Sequence, residues 1–476
     1  MFFFGYIYKF FFILNLMSLN RIKNYLGLSK KEAINLNRIR SFFPAISSGR
    51  IVSNNGASTQ VPEQLLALSK DLSKIYDNVH RGQSDSSKKM TLLFENSYQT
   101  IADFIGASSK EEVILYRNAT EAINSVMYSL MTEFKDGDNV VTTMMEHNSN
   151  YVTWYGLCNE ILPKFGIKVE CRVVNFNKET GELDLEHLKS LVDKRTKIVC
   201  CTAASNFLGT KNPLEKVRKI AKSSGYIQPN KEKGSYFLVD GCQFVPHSFV
   251  DVKKMKVDFF VWSFHKMLAP FGVGGLYARK ELLEKMRPFL YGGDMIADGQ
   301  VTLKKVGYNK LPWKFTAGTP NIIGTILSAE AIKLLLDFVL NEGKKKYFLG
   351  NPRLDREVVK KAMTRIEEYE QKLAKIALEE FEKINSVILF GPKDVKKRTP
   401  LFAFVSKDGK LSPFKIAEEL NKFKVESRAG CHCATLAHYY YELNPPASCR
   451  LSFYFYNTPE EVRKTIRIVK KICDKS

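Results

Sequence analysis

Short apolar runs alternate with amphipathic stretches from about residue 65 to residue 330, and this alternation limits the fold more than any other feature. Val113–Tyr116, Asn139–Thr143 and the segments 197–201, 236–239 and 259–262 read as buried strands, with helical stretches between several of them. Strands buried on both faces need helices above and below, and parallel neighbours need crossover connections. The expected fold is α/β, with a large, mostly parallel sheet.

A smaller alternation follows. Residues 355–385 have the pattern of a long, charged amphipathic helix; 386–389, Leu401–Ser406 and 449–455 look like strands, and 413–423 and 459–473 like helices. With 476 residues the chain can bury one large and one smaller core. The expected organisation is an extension over 1–45, a large domain over 46–335 and a small C-terminal domain over 336–476. Residues 18–45 are basic and helical in pattern until Phe43-Pro44 and the turn-rich Ser53-Asn54-Asn55-Gly56 stop the helix. The segment 223–234, rich in Ser, Gly, Lys and Pro, reads as a surface loop.

Residues 1–17 are apolar and aromatic but are interrupted by Lys9 and are short for a bilayer span. They lack the basic start and small-residue cleavage site of a secretory signal. Three readings stand: translation begins at Met17, the segment targets an organelle, or it associates with a membrane. The formal net charge of +22 matches solvated basic runs such as 344–346 and 396–398, with no aromatic-interleaved basic run, so no nucleic-acid partner is expected. Nine scattered cysteines do not form a disulfide framework and suit a reducing, cytoplasmic setting.

The chemistry starts at Val261-Trp262-Ser263-Phe264-His265-Lys266, where an apolar run delivers Ser, His and Lys at its end. Ligands in open α/β sheets lie beyond the carboxyl ends of strands. A lysine placed there can form a Schiff base with an aldehyde cofactor, although alone it is an ordinary surface lysine. Phe237-Leu238-Val239-Asp240-Gly241 ends a second run in a carboxylate, which could face a pyridine nitrogen or merely cap a helix. After Leu115-Tyr116-Arg117-Asn118-Ala119 a helix begins near Thr120, offering free backbone N–H groups to a phosphate. Glu146-His147 follows a further strand and could set an imidazole on a cofactor ring.

In order along the chain, Asn78-Val79-His80-Arg81-Gly82, Ala119-Thr120-Glu121-Ala122-Ile123-Asn124, Glu146-His147, Ser205-Asn206-Phe207-Leu208-Gly209-Thr210, Val239-Asp240-Gly241-Cys242-Gln243, His265-Lys266 and Ala317-Gly318-Thr319-Pro320-Asn321 resemble the class V aminotransferase superfamily, and within it the Suf-type cysteine desulfurases. The resemblance runs from about Ile51 to Ile468. It implies the pyridoxal-phosphate-dependent transferase fold of the aspartate aminotransferase type, with pyridoxal 5'-phosphate (PLP) as cofactor. It also implies roles: Lys266 carries the cofactor and shuttles the substrate proton, Asp240 faces the pyridinium, and His147 stacks on the ring. Gln243 reaches the phenolic oxygen, and Asn206 lies near that oxygen and the substrate carboxylate. Thr120, Ser263 and His265 hold the phosphate. Thr319 approaches the phosphate of a neighbouring subunit, implying a homodimer.

Glu426-Ser427-Arg428-Ala429-Gly430-Cys431-His432-Cys433-Ala434 resembles the loop that presents the desulfurase nucleophile, with Cys433 in that position. Cys449-Arg450-Leu451-Ser452 resembles the segment whose arginine grips the substrate carboxylate, a task that suits a guanidinium fork. The implied reaction takes sulfur from L-cysteine, leaves a persulfide on Cys433 and releases L-alanine; a protein acceptor then takes the sulfur for iron–sulfur cluster assembly or related transfer. Arg428 and His432 would favour the thiolate, and Arg428 would also meet the substrate. Two other readings are kept: a class V aminotransferase, lyase or epimerase acting on a different amino acid, and a basic binding protein without catalysis. The resemblance departs at Cys431, where His is expected. The Cys431-His432-Cys433 trio lacks further placed ligands, so no metal is expected. The backbone there is expected to be extended or looped; if extended, both thiols would point the same way, with Cα atoms about 6–7 Å apart, near disulfide reach.

Overall fold

The computed structural model describes residues 34–474 apart from Lys346. The readings made for residues 1–17 lie outside the described residues. Two short helices, Leu36–Ser41 and Pro44–Ser47, occupy the described part of the basic segment. Pro44 opens the second of them instead of only stopping the first, because a proline at the first helical position has no N–H to forfeit. Residues 36–476 form one unit.

Seven strands build the main sheet: β1 (Val113–Tyr116), β2 (Asn139–Thr143), β3 (Glu170–Val174), β4 (Thr196–Thr202), β5 (Tyr236–Asp240), β6 (Phe259–Ser263) and β7 (Gly274–Ala278). Their order is β1-β7-β6-β5-β4-β2-β3. β7 runs antiparallel to both neighbours, and the other pairings are parallel. Two reversals cancel, so β1 points the same way as β2 to β6, and all of these strands end on one edge.

Strands β2, β4, β5, β6 and β7 are buried along their whole length. Helices cover the sheet; Ala122, Ile123 and Val126 of the helix Ala119–Leu130 pack with Ile114, Leu238, Val261 and Leu276 in one apolar core. Each large aliphatic side chain so buried contributes about 2 kcal/mol. At Gly275 a Cβ would sit 2.2 Å from the Trp262 ring, and at Gly274 one would sit 2.4 Å from the backbone carbon of Asn118. The two glycines therefore let β7 pass close to β6 and to the start of a helix.

A second, antiparallel sheet comprises β8 (Val387–Leu389), β9 (Leu401–Ser406), β10 (Arg428–Gly430) and β11 (Ser448–Ser452), in the order β8-β9-β11-β10. The helices Arg356–Phe381 and Pro459–Cys473 pack Leu373, Phe381, Val462 and Ile466 against its Phe402, Phe404 and Leu451. The strip 51–57 stitches the two sheets together. Ile51–Val52 pairs in parallel with Val425–Glu426, and the Gly56 N–H donates to Ser452 Oγ at 2.7 Å. From the other side, Gln243 Nε2 donates to the Gly56 carbonyl at 2.6 Å. Segment 223–234 is a run of turns, as expected, closed by a bridge between Ile227 and Lys233. Among the described residues no helix is long and apolar enough to cross a membrane.

Candidate active site

The shared edge of β1, β2, β4, β5 and β6 opens into a cavity of about 280 Å³. Thr120, His147, Asn206, Asp240, Gln243, Ser263, His265, Lys266, Arg428 and Arg450 all line it. Each comes from a strand end or from the second sheet, which faces this edge.

Lys266 closes a one-turn helix directly after β6. The backbone there is held from outside: Ser58 Oγ and the Thr59 N–H both donate to the His265 carbonyl, each at 3.0 Å. Ser263 Oγ accepts the Ala119 N–H at 3.0 Å and so joins β6 to the helix Ala119–Leu130. That helix is capped by Asn118, whose Oδ1 accepts the Glu121 N–H at 2.9 Å. Thr120 sits at its opening, where the helix dipole favours an anion.

Asp240 is buried at the end of β5, and its Oδ1 accepts the Cys242 N–H at 2.9 Å. Local capping thus uses part of this carboxylate, while the side chain still lines the cavity. His147 Nδ1 accepts the Ser149 N–H at 3.1 Å, so the neutral ring carries its proton on Nε2. Burial, with Lys266, Arg428 and Arg450 nearby, lowers its pKa to about 4. Beneath it lies Glu146, which accepts from Thr143 Oγ1 at 2.7 Å, the Thr202 N–H at 2.9 Å and Asn150 Nδ2 at 2.7 Å. Burial pushes Glu146 up to about 8 against the pull of these donors.

The second sheet supplies the cations. Arg428 and Arg450 are register partners on β10 and β11. Arg450 is 1% exposed; its Nη1 donates to the Asn206 carbonyl at 2.7 Å, and its Nε has no partner. Burial and the neighbouring Arg428 lower its pKa to about 9. Neither arginine meets a carboxylate among the described residues. A buried guanidinium without a counter-ion is costly, so this end of the cavity suits an anionic ligand.

Cys433 is not part of the cavity wall. Its Sγ lies 3.7 Å from Arg428 Nη2, and its carbonyl accepts the Asn148 N–H at 2.5 Å. Of the extended and looped alternatives over Cys431 to Cys433, the backbone takes the looped one. His432 and Cys433 both have left-handed φ angles, 52° and 56°, and Gly430 has 118°. The Cys433 and Asn206 contacts pull the chain into a turn, with Asn206 Nδ2 donating to the His432 carbonyl at 2.5 Å. Alternating geometry therefore does not carry the Cys431 and Cys433 thiols to one side. Thr319 stands apart, exposed in a separate hollow of about 210 Å³ with Tyr116, Gly272 and Asn321. Among the described residues no cluster of His, Cys, Asp and Glu has the makings of a metal site.

Four side-chain atoms on cavity-lining residues are buried without a partner: Asn206 Oδ1, His265 Nδ1, His432 Nδ1 and Arg450 Nε. Such atoms call for a polar ligand. The donors of the Ser263 and Thr120 corner suit a phosphate, and the buried Asp240 suits a ring nitrogen, so the residues present fit PLP. Sequence reasoning assigned no role to Glu146, and treated His432 only as a charge near the thiol. Each has a partner distant in the chain, Thr202 for Glu146 and Ser448 for His432.

The chain belongs to the aminotransferase class-V family, matching it over residues 51–348 and 356–465. A cysteine desulfurase of Haloferax volcanii is 36% identical over 416 residues, covering 87% of each chain. The apo cysteine desulfurase of Thermococcus onnurineus superimposes with a TM-score of 0.78 at 30% identity, covering 92% of this chain and 98% of that one. The Escherichia coli cysteine desulfurase CsdA, solved in an S-sulfonic acid form, gives a TM-score of 0.77 at 25% identity, covering 93% and 100%.

Proposed function

We propose that the chain is a PLP-dependent cysteine desulfurase, converting L-cysteine to L-alanine and leaving the sulfur as a persulfide on Cys433. One observation carries the reading: Arg428 and Arg450, neither with a carboxylate partner among the described residues, share a cavity with Lys266 and Asp240, and Arg428 also touches the Cys433 thiol. A carboxylate-bearing substrate thus has a place where the cofactor fits, with the sulfur nucleophile just outside it against Arg428.

Lys266 and Asp240 hold the cofactor's aldehyde and ring ends, and Thr120, Ser263 and His265 its phosphate. Once bound, PLP supplies an electron sink for the pair left at the substrate Cα. His147 presents a neutral ring face, and Asn206 and Gln243 bring amides to the polar edge. Arg450 grips the substrate carboxylate, and Arg428 stabilises the Cys433 thiolate. The thiolate takes the sulfur, and Lys266 moves the proton at Cα. Cys433 is partly buried on a loop outside the cavity wall, a place from which an acceptor protein could collect the sulfur. The chain works as a homodimer in a reducing compartment such as the cytoplasm. The exposed Thr319, and the exposed apolar Val301, Leu303 and Val306 of the hairpin formed by Ile296–Val301 and Val306–Tyr308, supply a surface for the second copy.

The test is incubation of the PLP-loaded protein with L-cysteine. Alanine release and an adduct of one sulfur atom mapped to Cys433 are expected. Turnover of another amino acid, with cysteine inert, would move the chain to a different class V reaction.

A further inference from the structure

His432, Ser448 and His438 are joined in a buried chain of hydrogen bonds. His438 Nδ1 lies 2.9 Å from the Ala434 carbonyl, which can only accept, so this nitrogen carries a proton. In the neutral ring Nε2 is then bare, and it takes the single hydroxyl proton of Ser448 at 2.9 Å. Ser448 Oγ can therefore only accept from His432 Nε2, at 3.0 Å. That places the His432 proton on Nε2 and leaves Nδ1 a lone-pair acceptor. The same Nδ1 is buried without a partner, on a ring that lines the cavity beside Arg428 and Arg450. Phe207 stacks on His438 with centroids 3.9 Å apart, fixing the far end of the chain.

We propose that His432 Nδ1 accepts the S–H of the bound substrate cysteine and takes its proton as the sulfur moves to Cys433, with Ser448 and His438 as positioning residues that set its tautomer. This rests on the desulfurase reading. In the transfer, the Cys433 thiolate forms the S–S bond and the Cβ–S bond breaks with its electron pair going to the carbon fragment. The S–H proton passes to Nδ1, since a persulfide is a stronger acid than a thiol. No oxidant is needed.

Burial, with Arg450, His438 and Arg428 facing the ring, holds the empty-site pKa of His432 well below its ordinary value. A substrate carboxylate on Arg450 offsets part of that positive field and makes the ring a better acceptor when a substrate is present.

The experiment compares wild type, Ser448→Ala and Ser448→Thr, each loaded with PLP. Nitrogen NMR of 15N-histidine-labelled protein reads the tautomer, with the His432 signal assigned by its loss in His432→Gln. Wild type should show an unprotonated Nδ1. Ser448→Ala should show mixed tautomers and slow single-turnover sulfur transfer to Cys433 by about tenfold, with KM and cofactor absorbance unchanged. Ser448→Thr, which keeps the hydroxyl, should restore both. A protonated Nδ1 in wild type overturns the proposal, as does Ser448→Ala transferring sulfur within about twofold of wild type. A wild type that makes no alanine from cysteine defeats the desulfurase reading and this proposal together. An active wild type indifferent to Ser448→Ala defeats this proposal alone.

Discussion

The two halves of the cavity are held in place by different means. Lys266, Asp240, His147 and Thr120 follow strand ends, and the parallel ladder of the main sheet sets their spacing. Arg428 to Ala434 leave a three-residue strand and turn through left-handed residues. A non-glycine residue in that region costs about 1–2 kcal/mol. The cost at His432 and Cys433 is offset by contacts from the opposite half, namely Asn206 to the His432 carbonyl and the Asn148 backbone to the Cys433 carbonyl. The strand-end half is placed by the ladder of its own sheet, whereas the loop half takes its shape by docking on the first. Cofactor binding should therefore survive damage to the loop, and sulfur transfer should not.

The largest effect is expected at the strand-end half. Lys266→Ala should lower turnover by about 10³-fold or more and abolish the bound-cofactor absorbance that borohydride traps; Lys266→Arg should not rescue it, since a guanidinium stays protonated. Cysteine turnover assays and absorbance spectra check both. At the loop half, Cys433→Ser should leave that absorbance intact and eliminate the persulfide, with alanine formation falling by about 10³-fold. Loss of cofactor from Cys433→Ser would break the comparison. Asp240→Asn should lower kcat by about 10²-fold while the protein stays folded and retains some PLP; a loss under about threefold would reduce Asp240 to a cap for Cys242. The smallest effect belongs to the pin between the halves. Asn148 Nδ2 and Oδ1 hold Thr435 Oγ1 and the Thr435 N–H, both at 3.3 Å. Removing them in Asn148→Ala should cost about 1 kcal/mol of loop order, slowing sulfur transfer about fivefold with unchanged cofactor absorbance. Single-turnover mass spectrometry on Cys433 measures it.

Much of the fold was legible because strands buried on both faces write themselves as apolar runs. Two strands of the main sheet did not. β3 lies at the sheet edge, where Glu170 is exposed and Arg172 partly so, leaving no continuous run. β7 begins at Gly274 and Gly275, which bring no apolar side chain to mark a buried strand; the close approach of Trp262 and Asn118 accounts for them. Strand-end residues were legible for the same reason as the strands. The loop was not: its sequence left extended and looped backbones both open between Cys431 and Cys433, and contacts from Asn206 and Asn148 go with the looped one. The histidine chain was hidden further, since its members at 432, 438 and 448 meet only through that turn.

The strip 51–57 touches both sheets, and its partners leave the ribosome far apart in synthesis. Gln243 is in hand midway, but Val425, Glu426 and Ser452 emerge near the end. Since domains generally fold as they are made, from the N-terminal side onward, the lysine half can be assembled while the arginine half has not yet been translated. On the roles proposed above, a growing chain acquires its place for the cofactor before it acquires any means of gripping a substrate, and a truncated product would hold PLP without Arg428 and Arg450.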